Sequence, residues 1–419
     1  MTMTTIYTNI SRLVGCQEGT TPLRGPQLAQ LPVVENAFLA IKDDRIDGYG
    51  NMNELSARYP ADKTAGMRQI SMEDATVLPA WCDSHTHLVY AAPREQEFVQ
   101  KIQGKSYQEI AASGGGILQS ARALNDTPEE VLFEAAWERL KALIALGTGA
   151  IEIKSGYGLT VEGELKMLRV IRRLKEKAPI PVRATFLGAH AYPEPFKNDH
   201  EGYISSILHE MLPAISSEKL ADYIDVFCEN GFFSREEAEK ICMAGREYGL
   251  LPKVHANQLN LSGGVQAGVA TGAASVDHLE TMDAEAIRCL AASRTIGTLL
   301  PGAAFFLRMP FPPAREMIRE GCAIALASDY NPGSSPSGNM NLVVSLACIQ
   351  MKMLPEEAIN AATLNGAAAM GLQSEYGSIA PGKKANLVFM KNIPSLAYIP
   401  YSFGTNLIQR VMINGEWWS

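Results

Sequence analysis

Short apolar runs alternate with longer amphipathic stretches through most of this chain. The runs are VLPAWCD (77–83), GAIEIKS (149–155), VRATFLG (182–188), DYIDVFC (222–228), LPKVHA (251–256), AASVDH (273–278), TIGTLL and CAIALASD (322–329). Most end in, or run directly into, polar residues. A short buried run bounded by turn signals reads as a parallel strand, and apolar positions at i, i+3 and i+4 read as the helix that covers it. Two of the helical stretches are TPEEVLFEAAWERLKALIALG, whose opening Thr-Pro-Glu-Glu suggests a capping box, and VEGELKMLRVIRRLKEKA. Eight strands separated by helices predict an α/β fold, a parallel sheet closed into a (β/α)8 TIM-type barrel. An open doubly wound sheet is the alternative. A glycine-rich phosphate loop after the first strand would favour it, and none is present.

The two ends read differently. Residues 1–75 hold short alternating segments and turns, as in AFLAIKDDRIDGYG with its Asp-Asp turn, and residues 376–419 hold KKANLVFM and LIQRVMINGEWWS. An isolated hairpin is marginally stable, so these ends are expected to pair as a small β-sandwich beside a barrel of residues 76–375. ASGGGI (112–117) and NPGSSPSGN (331–339) read as active-site loops, and residues 92–117 as the segment that closes over substrate.

Composition narrows the partners. The 419 residues carry a net charge of −8 with both signs mixed and no long basic run, which argues against nucleic acid and anionic membrane. No apolar stretch is long enough to span a bilayer, and MTMTTIYTNI has no signal-peptide pattern. The seven cysteines are scattered without a Cys-x-x-Cys, as expected of reduced thiols in a cytoplasmic protein. Cys82 reads as strand core.

Candidate chemistry sits at strand ends. Of seven histidines, five (His85, His87, His190, His255 and His278) lie at or just after strand-like runs, while His200 and His209 read as structural or solvent-facing. In a barrel, strand ends ring one mouth. His85 and His87 leave strand one together, His255 ends strand five, His278 strand six and Asp329 strand eight. Three imidazoles and a carboxylate suffice for one zinc or iron ion, which would lower the pKa of a bound water toward neutrality. Asp329 can then carry the proton from water to a leaving nitrogen. One histidine should stay off the metal and polarise the carbonyl, and His278, lying between the other contributing strands, is the expected one.

These positions resemble the amidohydrolase superfamily and, within it, the imidazolonepropionases of histidine degradation. DSHTHLVYAAPREQEF, EIKSGYGL, TFLGAHAYP, VHANQLN, SVDHLE and LASDYNPGSS carry the resemblance, with GSIAPGKKANLV and MINGEW in the C-terminal strands. The resemblance implies that His85, His87, His255 and Asp329 bind the metal. It implies that Arg94, Tyr157, His190 and Gln258 contact the substrate, 4-imidazolone-5-propanoate, and that Asn331, Gly333 and Ser334 contact the ring-opened product. It also implies a homodimer. A guanidinium fork at Arg94 suits the propanoate, although Glu95 or Glu97 could instead hold it as an ion pair. Some members carry acidic residues where this chain has Asn257 and Gln258. A neutral amide at Gln258 can donate and accept, but it cannot act as a base, so its catalytic part is confined to orienting the ring. Asn386 stands where aspartate is more usual.

The rivals are an aromatic deaminase, a hydantoinase-like ring opener, and a non-catalytic metal-binding barrel. A two-metal hydantoinase requires a lysine at the end of strand four, where this chain has Phe227-Cys228-Glu229, and Lys154 follows strand two. Glu229 is the residue that could recruit a second ion. Arg94 and SGYGL argue against a deaminase, and the presence of all four ligands argues against a dead barrel.

Overall fold

The computed structural model describes residues 4–60, 67–105, 115–391 and 393–418. Residues 112–114 of the ASGGGI loop, and much of the 92–117 segment, lie outside the described residues. The strands in chain order are β1 (Thr4–Val14), β2 (Val33–Lys42), β3 (Arg45–Asn51), β4 (Arg68–Ser71), β5 (Thr76–Pro79), β6 (Trp81–Asp83), β7 (Thr148–Lys154), β8 (Val182–Ala189), β9 (Tyr223–Cys228), β10 (Leu251–Ala256), β11 (Ser275–His278), β12 (Ile296–Leu299), β13 (Ile324–Leu326), β14 (Leu387–Met390), β15 (Ile408–Ile413) and β16 (Glu416–Trp417).

Strands β6 to β13 form a parallel sheet in sequential order. Its two edges meet just beyond the strand ends. Asp83 accepts from the Ser328 backbone N–H at 2.9 Å and from the Ser328 hydroxyl at 2.5 Å. The Asp329 N–H donates to the His85 carbonyl at 3.0 Å, and the His87 N–H to the Tyr330 carbonyl at 2.9 Å. The contacts that close the barrel therefore also clamp the His-x-His segment against Asp329.

The run expected as the first barrel strand is shared between two sheets. Thr76–Pro79 pairs parallel to β1 and antiparallel to β14, and only Trp81–Asp83 enters the barrel. Ala80 is the junction. The run is buried throughout, so hydrophobic pattern alone could not divide it. Both chain ends meet at β5, in the order β16-β15-β14-β5-β1-β2-β3 with β4 also on β1. The small domain is thus one continuous mixed sheet rather than two hydrogen-bonded layers. It curls enough for Tyr7 of β1 to meet Phe389 and Trp417, with ring centroids 6.1 and 5.8 Å apart. Asn386 joins this sheet to the barrel. Its amide donates to the Gly149 carbonyl at 2.9 Å and its oxygen accepts from the Asn414 N–H at 2.8 Å. A carboxylate there could not make the first bond.

Both helical stretches form, as Glu129–Ala145 and Val161–Lys177. The second is capped by the Thr160 hydroxyl, which accepts from the Gly163 N–H. The first is not capped as expected. Pro128 is its N-cap residue, and the Thr127 hydroxyl donates backward to the Ala123 carbonyl at 2.6 Å, ending the preceding helix instead. Thr127 therefore closes the helix before it, and Pro128, with no side-chain acceptor, opens the next without a capping bond. Among the described residues, no helix is long and apolar enough to cross a membrane.

Candidate active site

Side chains alternate along each strand, so every second residue of a barrel strand points inward. In this barrel the inward positions near the mouth are charged. Glu152 and Lys154 on β7, Asp225 on β9, Lys253 on β10 and Asp277 on β11 are all fully buried. Lys154 Nζ donates to Glu152 at 2.6 Å and Asp225 at 2.8 Å and lies 3.5 Å from Asp277, while Lys253 pairs with Glu152. Buried charges persist only when paired in this way.

The histidines stand on this charged floor. His85 Nδ1 is 2.7 Å from Asp277 Oδ2. Asp225 Oδ2 lies 3.0 Å from His255 Nδ1, and its Oδ1 accepts from the His255 backbone N–H at 3.1 Å. A carboxylate behind Nδ1 fixes the tautomer and aims the Nε2 lone pair outward, as in metal sites. Burial, then neighbouring cationic groups, lower the His85 and His87 pKa values far below the usual range, so both rings are neutral, the form that binds metal.

The outward atoms converge. Nε2 of His85 and of His87 each stand 3.5 Å from Asp329 Oδ1. The ligand atoms of His85, His87 and Asp329 lie within 4.8 Å of one another, and so do those of His85, His255 and His278. His85 Nε2 and His255 Nε2 are buried without a hydrogen-bond partner. Unsatisfied lone pairs gathered around a carboxylate oxygen are what a cation would satisfy, so these residues fit a metal ion.

His278 ends β11, one residue after inward-facing Asp277, so regular alternation would turn it outward. Positive φ at His278 (88°) and Leu279 (68°) breaks that alternation and brings its ring to the mouth. Two consecutive non-glycine residues in this region are costly and point to a functional constraint. Glu280, also buried, places Oε1 3.3 Å from His278 Nδ1. Burial opposes the charged ring, yet Glu280 and more distant carboxylates win, and the His278 pKa is raised. Asp329, too, has φ of 52°. Its pKa is raised by burial, and the Ser334 hydroxyl donates to its Oδ2 at 3.2 Å.

Above the floor is a cavity of 450 Å³. His87, Arg94, Tyr157, His190, His255, Gln258, His278, Asp329, Asn331, Gly333 and Ser334 all line it, and only His85 of the candidates lies beneath. His190 Nδ1 faces the Gly156 carbonyl at 3.0 Å and so carries the proton, leaving Nε2 as an acceptor. Burial lowers its pKa to about 3. The glycines of SGYGL have physical reasons. Gly156 has φ of 108° and a Cβ there would lie 2.8 Å from His190 Nδ1, while at Gly158 it would lie 2.3 Å from the start of helix Val161–Lys177. Glu164 of that helix accepts from the backbone N–H groups of Gly156, Gly158 and Leu159, holding Tyr157 against the cavity.

Arg94 is both cavity wall and ion pair. Its Nε and Nη2 meet Glu97 at 2.9 and 2.5 Å, at the start of helix Glu95–Ile102. Asn331 spends its polar atoms within its own loop: Oδ1 accepts from the Gly333 and Ser334 N–H groups at 2.8 and 2.7 Å, and Nδ2 donates to the Asp329 carbonyl and the Ser334 hydroxyl. Glu229 is occupied with the Leu259 and Asn230 backbone N–H groups, so among the described residues it belongs to no second metal cluster. Cys82 is buried core, and His200 and His209 are exposed, away from the cavity.

Asp225, Asp277, Glu164 and Glu280 are the functional positions that strand-end reasoning passes over. For Asp225 and Asp277 the signal was present as a single charge within an otherwise apolar strand, YIDVF and SVDH.

A barrel mouth of this construction defines a metal-dependent hydrolase, and the chain belongs to the amidohydrolase family, whose profile matches residues 76–418. Among solved structures it is similar to E. coli guanine deaminase (TM-score 0.74, 15% identity, covering 99% of this chain and 98% of that one). It is also similar to a zinc-bound adenosine deaminase from Xanthomonas campestris (TM-score 0.67, 16% identity, covering 99% and 92%). At those identities the likeness is one of fold. Within the family the chain belongs with the imidazolonepropionases. It is 56% identical to that of Flavobacterium johnsoniae over 99% of this chain and 100% of the relative. It is 42% identical to that of Geobacillus thermodenitrificans over 94% and 93%.

Proposed function

We propose that the protein opens the ring of 4-imidazolone-5-propanoate to N-formimidoyl-L-glutamate, a cytoplasmic step of histidine degradation, as a homodimer holding one zinc or iron ion per chain. What carries the reading is the convergence of His85, His87, His255 and Asp329 at the base of one cavity that Arg94 lines, in a chain 40–56% identical to imidazolonepropionases over nearly its whole length.

His85, His87, His255 and Asp329 would hold the ion. When bound, it lowers the pKa of water and polarises a carbonyl. Asp329 divides its labour between its oxygens: Oδ1 faces the histidines, while Oδ2, steadied by Ser334, takes the proton of the attacking water and returns it to the departing ring nitrogen. His278, whose protonated form Glu280 favours, donates from Nε2 to the oxygen that gains negative charge. Arg94 receives the propanoate. Tyr157, His190 and Gln258 orient the ring, with His190 Nε2 accepting and the Gln258 amide able to do either. Gly333, Ser334 and Asn331 form the wall against which the opened chain rests.

Asp329→Asn tests this. It should lower turnover by about 10²–10⁴-fold, the range for loss of a proton shuttle, with the circular dichroism spectrum unchanged. Wild-type-like formation of formimidoylglutamate by the variant, followed by mass spectrometry, would remove Asp329 from the mechanism.

A further inference from the structure

Arg94 is not the only cation at its end of the cavity. Because Nε and Nη2 of Arg94 both engage Glu97, that pair adds no net charge to the wall. Lys101 follows Glu97 by one helical turn and lines the same cavity. Its Nζ reaches the Gly333 carbonyl at 3.5 Å, a long contact for a group with three donors. The side chain is half-buried. Burial and then the neighbouring Arg94 cation depress its pKa, with Glu97 acting in the opposite sense. Among the described residues the anion acting on Lys101 is Glu97, already bound to Arg94, so an entering anion would stabilise this half-buried ammonium.

We infer that Lys101 is a specificity-determining residue, supplying the net positive charge that matches a substrate's carboxylate, while the Arg94–Glu97 pair sets the direction from which that carboxylate docks. The inference rests on the functional reading above. It assigns the two cations different work. Arg94 is held rigid by a bidentate partner and serves geometry. Lys101, on a flexible stem, serves charge.

The test uses metal-loaded protein and two stable probes, 3-(imidazol-4-yl)propanoate and its neutral propanamide, by titration calorimetry. Lys101→Met keeps the stem and removes the charge. It should weaken propanoate binding about 10- to 100-fold, as expected for one charge-assisted contact, and leave propanamide binding unchanged. Lys101→Arg should restore most of the loss. In turnover, Lys101→Met should raise KM for 4-imidazolone-5-propanoate by the same factor with kcat nearly constant. Equal weakening of both probes would mean that the stem merely packs, and undiminished propanoate binding would mean that the charge is idle; either overturns the inference. If the variant binds propanoate like the wild type while the wild type opens the ring normally, the inference alone fails. If the wild type does not open the ring, the functional reading fails and the inference with it.

Discussion

Replacing Asp277 by asparagine isolates one electrostatic contribution to metal binding. Asp277 Oδ2 sits 2.7 Å from His85 Nδ1, and its Oδ1 accepts from the Ser275 hydroxyl at 2.6 Å. In the variant, the amide oxygen can keep facing His85 and the amide NH₂ can face Ser275, whose hydroxyl rotates to accept. Shape and hydrogen-bond count survive, and only the charge is lost. A hydrogen bond to a charged acceptor contributes about 1.5–3 kcal/mol, and a neutral one about 0.5–1.5. The difference, roughly 1–1.5 kcal/mol, corresponds to about tenfold in affinity, the lower end of the 10–100-fold typical of such outer partners. The assay is zinc competition against a chromophoric chelator, with circular dichroism confirming the fold. Because Lys154 keeps Glu152 and Asp225, the floor should remain intact. A zinc affinity equal to wild type in a folded Asp277→Asn variant would refute the claim that the buried carboxylates tune the histidines.

Three further outcomes are expected. Gly333→Ala places a Cβ 2.4 Å from Arg94 Nη1, so the guanidinium must shift; kcat/KM should fall roughly 10- to 100-fold, mostly through KM, as misplaced binding groups do, and unchanged KM would refute it. Glu164→Gln puts an amide NH₂ against a backbone N–H of the loop that carries Tyr157; it should cost about 1–3 kcal/mol of stability, seen as a lower unfolding midpoint together with a raised KM. Stripping the metal should lower the unfolding midpoint, because an ion present at 1,000 times its Kd stabilises the fold by about 4 kcal/mol; identical melting of apo- and metal-loaded protein would contradict a bound ion at this site.

The barrel was legible because parallel strands buried on both faces write themselves as apolar runs, and the ring of strand-end residues follows from the fold alone. Three features were hidden for physical reasons. The division of Thr76–Asp83 between two sheets leaves no trace in hydropathy, since both halves are buried. Lys154 reads as a loop-proximal lysine until barrel closure sets it beneath the histidines. His278 seems to point the wrong way until positive φ turns it. In the first two cases the deciding contact joins residues far apart in the chain, and in the third a local backbone turn decides; periodicity registers neither.

The central claim is hydrolysis of one ring by one metal site, and following the ultraviolet absorbance of 4-imidazolone-5-propanoate tests it most directly. Metal-loaded protein should remove that absorbance far faster than spontaneous decay, yielding formimidoylglutamate, and a chelated sample should not. Decay at the spontaneous rate, with metal shown to be bound, would contradict the account.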